Sequence, residues 1–119
     1  MSTGGDGSAS EEVSALFREG ISALRGKAVE KSLKSLTLAH HLAPDDIEIA
    51  GALWEAESEM AARMSDMARS LEADDRLSEA AEMRLKALRA EERAAKLDAI
   101  SAESKWRSGQ TSREASVSA

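Results

Sequence analysis

The sequence predicts an all-α chain of about four helices packed as antiparallel hairpins, and three observations carry that prediction. Aromatic residues make up only 3% of the chain and Pro occurs once, whereas Ala, Leu, Glu, Ser and Arg dominate, a composition that favours helix and starves a sheet. Apolar residues recur at steps of three and four, the period of a one-sided helix. Helix starts and stops fall between these stripes at intervals that leave only short connections. With 119 residues and 42% hydrophobic content, one modest domain is the expectation.

The elements follow in order. Residues 1–9 are Gly, Ser and Thr with one Asp, too polar to offset the entropy of ordering, and read as a flexible N-terminal arm. Ser8 stands three residues ahead of Glu11, a capping-box spacing, so a first helix is expected from about Ser10. Val13, Leu16, Phe17, Gly20 and Leu24 form its apolar face, Ile21 lies at the edge, and Gly26 is the expected stop. A second stripe, Val29, Leu33, Leu36, Ala39 and Leu42, is backed by Ala28, Ser32 and Ser35 and ends at Ala43-Pro44. Asp45, three residues before Glu48, is the expected cap of a third helix. Ala50, Leu53, Met60, Met64, Met67 and Leu71 then read as a heptad-like seam, with Glu57 its one polar member.

Around Glu72-Ala73-Asp74-Asp75 the seam ends, and Asp74 or Asp75 is the expected cap of a fourth helix reaching about Ser101. Periodicity predicts Leu77, Ala81, Leu85, Leu88, Ala95 and Ala99 as its inward face. Glu82 with Lys86 and Glu92 with Lys96 have the spacing of four that supports an exposed helix. No Gly or Pro forces the break at 72–75, so one continuous helix is the competing expectation; a turn is preferred. The helical domain is therefore drawn at 10–103, followed by a flexible Ser-rich tail at 104–119 that holds Trp106, Ser108 beside Arg107, and Ser116 three residues after Arg113.

Composition also bounds function. The 22 acidic and 16 basic residues give a net charge of −6 and alternate along the chain, so no single-sign patch invites nucleic acid. There is no cysteine, which removes thiolate chemistry and Cys-built zinc sites and fits a reducing, cytoplasmic setting. No basic stretch precedes an apolar core at the N-terminus, and no apolar run approaches the roughly 20 residues that span a bilayer, so no membrane role is expected. His40 and His41 are adjacent on a helix, about 100 degrees apart, and neither has a Glu three residues upstream, so a shared metal is not expected. Gly4-Gly5-Asp6-Gly7 lacks the Lys-Ser/Thr ending of a phosphate loop. The expectation is a non-enzymatic protein without metal or cofactor.

Within this helical pattern, the stretch from Val13 to Pro44 resembles one tetratricopeptide repeat. Gly20 stands at the motif's small position in the first helix and Ser32 at the one in the second, with Leu36, Ala39 and Pro44 at the following intervals. Leu16 fits the first bulky place, whereas Glu19 stands where Leu is usual. The segment Asp75–Leu88 resembles the second helix of another such repeat, with Ala80 and Ala87 in the small places and Glu92 where the closing proline belongs. The third helix is too long for a regular array, so the likeness is to a tetratricopeptide-like hairpin protein.

That resemblance implies a protein–protein interaction module, adaptor or chaperone-like, holding a helix or extended peptide of a partner in a groove. It implies a concave side lined by Phe17, Ile21 and Arg25, with Arg69 from the third helix. Trp54, beside Leu53, is an end cap of the bundle or an interface anchor. The alternative is a structural coiled-coil subunit, a homodimer or larger assembly made through the third and fourth helices.

Overall fold

The computed structural model describes the backbone of residues 2–118 and the side-chain surroundings of residues 10–100. The arms expected at 1–9 and 104–119, with Trp106, Ser108 and Ser116, lie outside the residues whose side chains are described. The fold is all-helical: α1 spans Ser2–Arg25, α2 Val29–Leu42, α3 Ile47–Ala73 and α4 Leu77–Ser118. The break between α3 and α4 is real, and the two fold back on each other as an antiparallel hairpin.

Each helix packs on its neighbour in sequence, α1 on α2, α2 on α3 and α3 on α4, and α1 also meets α3 over a short stretch. Among the described residues the backbone of α4 comes close to α3 alone. The helices are thus stacked in succession, and the central core gathers Leu36, Ala50, Leu53, Ala56 and Leu97, with Phe17, Ile21, Leu24 and Leu33 packed against it.

Both hairpins turn by the same device. After α1, Ala28 N–H donates to Ala23 O at 2.8 Å and Lys27 N–H to Leu24 O at 3.0 Å; after α3, Arg76 N–H donates to Leu71 O at 2.8 Å and Asp75 N–H to Glu72 O at 3.1 Å. These are Schellman closures, which need one left-handed residue to reverse the chain. That residue is Lys27 (φ 64°) in the first turn and Asp75 (φ 62°) in the second. The expected glycine stop is therefore displaced by one position: Gly26 keeps an ordinary φ and its lysine neighbour takes the strained one. Asp75 closes α3 instead of capping α4. The cap of α3 is likewise Asp46, not Asp45, its carboxylate accepting from Glu48 N–H at 3.0 Å and Ile49 N–H at 3.2 Å.

The α1–α2 crossing rests on the absence of a side chain. A Cβ at Gly20 would lie 2.5 Å from Leu36 Cγ, and the Ser32 hydroxyl donates to Gly20 O at 2.7 Å across the same contact. Glycine, which weakens a helix interior by about 1 kcal/mol relative to Ala, is here what allows the fully buried Leu36 to seat.

The α3–α4 crossing uses alanine throughout. Ala56, Ala61 and Ala68 of α3 are buried, as are Ala80, Ala87, Ala90, Ala94 and Leu97 of α4. Small side chains let two helices approach to about 8 Å. The expected inward face of α4 is therefore corrected: Leu77, Ala81, Leu85, Leu88, Ala95 and Ala99 are all exposed, Leu77 at 62%. The methionine seam of α3 is corrected too. Ala50 and Leu53 are core, but Met60 and Met64 are half-buried and Met67 is exposed, because the buried face shifts to Ala61 and Ala68 in the second half of the helix.

Ion pairs also fall elsewhere than expected. Among the described residues neither Glu82–Lys86 nor Glu92–Lys96 is paired. Instead Arg84 donates to Glu72 at 2.8 Å beside the turn, and Arg93 donates to Glu57 at 2.6 Å farther along the hairpin. Glu57, the polar member of the seam, is 5% exposed, and its Oε1 is buried without a partner.

Candidate functional site

Because α1 meets α3 only briefly, the two helices diverge and leave a cleft. Its walls are Ile21, Leu24 and Arg25 of α1 and Glu55, Glu59 and Arg63 of α3, with Lys27 and Val29 closing the end at the α1–α2 turn; its volume is about 610 Å³. A shallower recess of about 270 Å³ continues along α1 and is bounded by Phe17, Arg18, Ile21, Ser22 and Arg25. Phe17, Ile21 and Arg25 recur every four residues, which keeps them along one side of α1. Phe17 and Ile21 are half-buried and packed against the core, Ile21 lining both the cleft and the recess and Phe17 the recess alone.

The opposite wall repeats the spacing, with Glu55, Glu59 and Arg63 at the same interval along α3. Arg63 lies 3.5 Å from Glu59 and donates to the Lys27 carbonyl at 2.9 Å, tying α3 to the first turn. The cleft thus has an apolar strip on α1 and a mixed polar wall on α3, where Glu55, Glu59 and Arg63 stand across from Arg25 of α1. Such a wall orients a bound segment by hydrogen bonds while the apolar strip supplies burial.

Of the five expected partner-contacting residues, Ile21 and Arg25 line this cleft, and Phe17 lies beside them in the adjoining recess. Trp54 sits early in α3, 42% exposed, and is not part of the cleft wall. Arg69 lies toward the far end of α3, exposed, donating to Asp66 at 2.9 Å one turn away. The residues that sequence reasoning missed are Glu55, Glu59 and Arg63. Their own spacing of four was the available signal, masked by the stronger apolar seam beside them.

Shifted titrations occur away from the cleft, at the α3–α4 turn. The hydrogen bond from Arg84 holds the Glu72 carboxyl below its ordinary range, and the same bond raises Arg84. The hydrogen bond to Glu79 raises Arg76. His40 is half-buried in the last turn of α2, its Nδ1 without a partner, and His41 is exposed. Among the described residues no three or more His, Asp or Glu side chains come together in a way that holds a metal ion, and no helix is long and apolar enough to cross a membrane. Comparison with protein-family models, with curated proteins and with solved structures returns no match to this chain.

Proposed function

We propose that this chain is a non-catalytic protein–protein interaction module, tetratricopeptide-like in build, that holds a helical or extended segment of a partner in the cleft between α1 and α3. The observation that carries the reading is an open cleft in which Ile21 and Arg25 stand opposite Glu55, Glu59 and Arg63, with Phe17 in the recess that continues it along α1. Successive stacking of helices supports it, as does the meeting of Gly20, Ser32 and Leu36 at the α1–α2 crossing, since these are three of the positions on which the resemblance rests. Binding of this kind works by burial of apolar surface with oriented polar contacts and asks no chemistry of the site. An adaptor or chaperone-like role in the cytoplasm follows from the same reading.

The test is selection of displayed peptides against the full chain, followed by affinity measurement with variants. Binders selected on this chain lose at least about tenfold in affinity, roughly 1.4 kcal/mol, with Phe17→Ala. Leu85→Ala, on the outer face of α4, leaves them unchanged. Binders indifferent to Phe17→Ala and Arg25→Ala would place recognition elsewhere and remove this reading.

One observation favours a second reading, a structural subunit that self-associates through α4. Leu77, Leu85 and Leu88 stand exposed on one outer stripe of that helix. The stripe is interrupted by Glu92 and flanked by the Arg84–Glu72 pair, which is why it ranks second.

A further inference from the structure

A second concavity, different in character from the cleft, lies between α2 and α4. It exists because α4 packs on α3 without reaching α2, so part of α3 is left uncovered as a floor. That floor is Met60 and Met64, and two adjoining volumes of about 350 and 490 Å³ share them, the second extending past Met67 toward the α1–α2 turn. The three methionines recur at i, i+4 and i+7, an apolar strip roughly 10 Å long at about 1.5 Å per residue.

Cations border both volumes, Lys86 and Arg89 of α4 the smaller and Lys27 and Lys31 by the α1–α2 turn the larger. None of the four has a carboxylate within 4.0 Å among the described residues. Glu30 is the one acid along the lining. In a chain whose net charge is −6, this is a local reversal of sign.

We infer that this groove binds one amphipathic helix of a partner protein, its apolar stripe on the methionines and its Asp and Glu flanks against the lysine and arginine rims. The charge of the rims selects acidic flanks. A helix fits better than an extended strand, because the groove offers no sheet edge and a helix satisfies its own backbone. Methionine side chains adapt to varied apolar partners. Nucleic acid would satisfy the rims but not the floor, since bases stack on aromatic rings and no lining residue is aromatic. The groove meets the α1/α3 cleft at Arg63 and Lys27, yet the inference stands whether or not that cleft is occupied.

The full chain, carbon-13 labelled at its methionine methyls, is titrated with a synthetic amphipathic helix of roughly 14 residues whose leucine stripe is flanked by glutamates. The same peptide with Lys for Glu, a scrambled acidic peptide and a single-stranded oligonucleotide of equal charge serve as comparators. Saturable shifts at Met60, Met64 and Met67, with Met83 outside the groove unmoved, are expected from the acidic amphipathic helix. Lys86→Glu with Arg89→Glu, both exposed positions, weakens binding by at least about tenfold with unchanged helicity, and Phe17→Ala does not. Absence of saturable shifts up to about 1 mM peptide, equal binding of the lysine or scrambled peptide, or equal displacement by the oligonucleotide would overturn the inference.

Discussion

Aligned on their left-handed turn residues, Lys27 and Asp75, the two hairpins place Gly20 level with Ala68, Ser32 with Ala80 and Ala39 with Ala87, and all six are buried. The crossings are therefore built to one plan of small residues. The hairpins part at the next positions. Leu36, fully buried between α1 and α3, corresponds to Arg84, and Leu24, packed on the core, corresponds to Glu72. An apolar contact in the first hairpin is replaced in the second by an exposed ion pair. The physical difference is cover: α3 lies over α2, whereas among the described residues no helix lies over α4. That face of α4 has no described helix against it, and an exposed charged pair belongs there.

The comparison is broken most severely by truncating the equivalent pair. Leu36→Ala removes a fully buried side chain and is expected to cost about 2–5 kcal/mol, whereas Arg84→Ala, which breaks only an exposed and solvent-screened pair, costs far less. Urea unfolding of both variants checks this, and equal losses would mean that α4 is covered. Next in size is the Glu57–Arg93 pair. Arg93→Ala leaves a buried carboxylate with neither oxygen partnered and costs about 1–3 kcal/mol. Glu57→Leu removes the carboxylate altogether and leaves stability equal or higher, since one oxygen is already orphaned. Thermal melts at neutral pH separate the two outcomes.

Gly20→Ala sharpens the comparison at the crossing. Helix propensity predicts a gain of about 1 kcal/mol, but the new methyl meets Leu36, and overpacking of about 1–3 kcal/mol is expected to dominate. Chemical denaturation gives the sign directly. Smallest is the turn. Lys27→Gly relieves a left-handed lysine and stabilises by about 1 kcal/mol, and Asp75→Gly does so by less because Asp tolerates that conformation. At acid pH the second hairpin alone responds through its pair. The folded-state carboxyl of Glu72 is depressed, so its contribution is present above the ordinary carboxylate range and is lost as pH falls through the folded-state value. Glu72→Gln should flatten that part of the pH–stability profile.

Much of this fold was legible in the sequence. Four helices, the break near Asp74 and the small residues at Gly20 and Ser32 all follow from spacing and turn chemistry. The inner face of α4 did not, because periodicity weights large side chains and so selects Leu77, Leu85 and Leu88. A close crossing instead buries the small ones, Ala80, Ala87 and Ala94, and the resemblance to a repeat had pointed to Ala80 and Ala87. At the cleft, the strip on α1 was expected only from the resemblance to a repeat, which implied Phe17, Ile21 and Arg25. Glu55, Glu59 and Arg63 were not, since charges on a helix face read as solvation until the fold sets α1 opposite them. The methionine groove was hidden for a related reason: it depends on α4 missing α2, which no local pattern encodes.

Light scattering in line with size-exclusion chromatography, on the full chain across a wide concentration range, tests the central claim that the outer stripe of α4 faces solvent. A mass that stays at the monomer's 12.7 kDa is the predicted result. A concentration-stable dimer that Leu85→Lys with Leu88→Lys converts to monomer would contradict it, and would make the outer face of α4 an interface and the chain a self-assembling subunit.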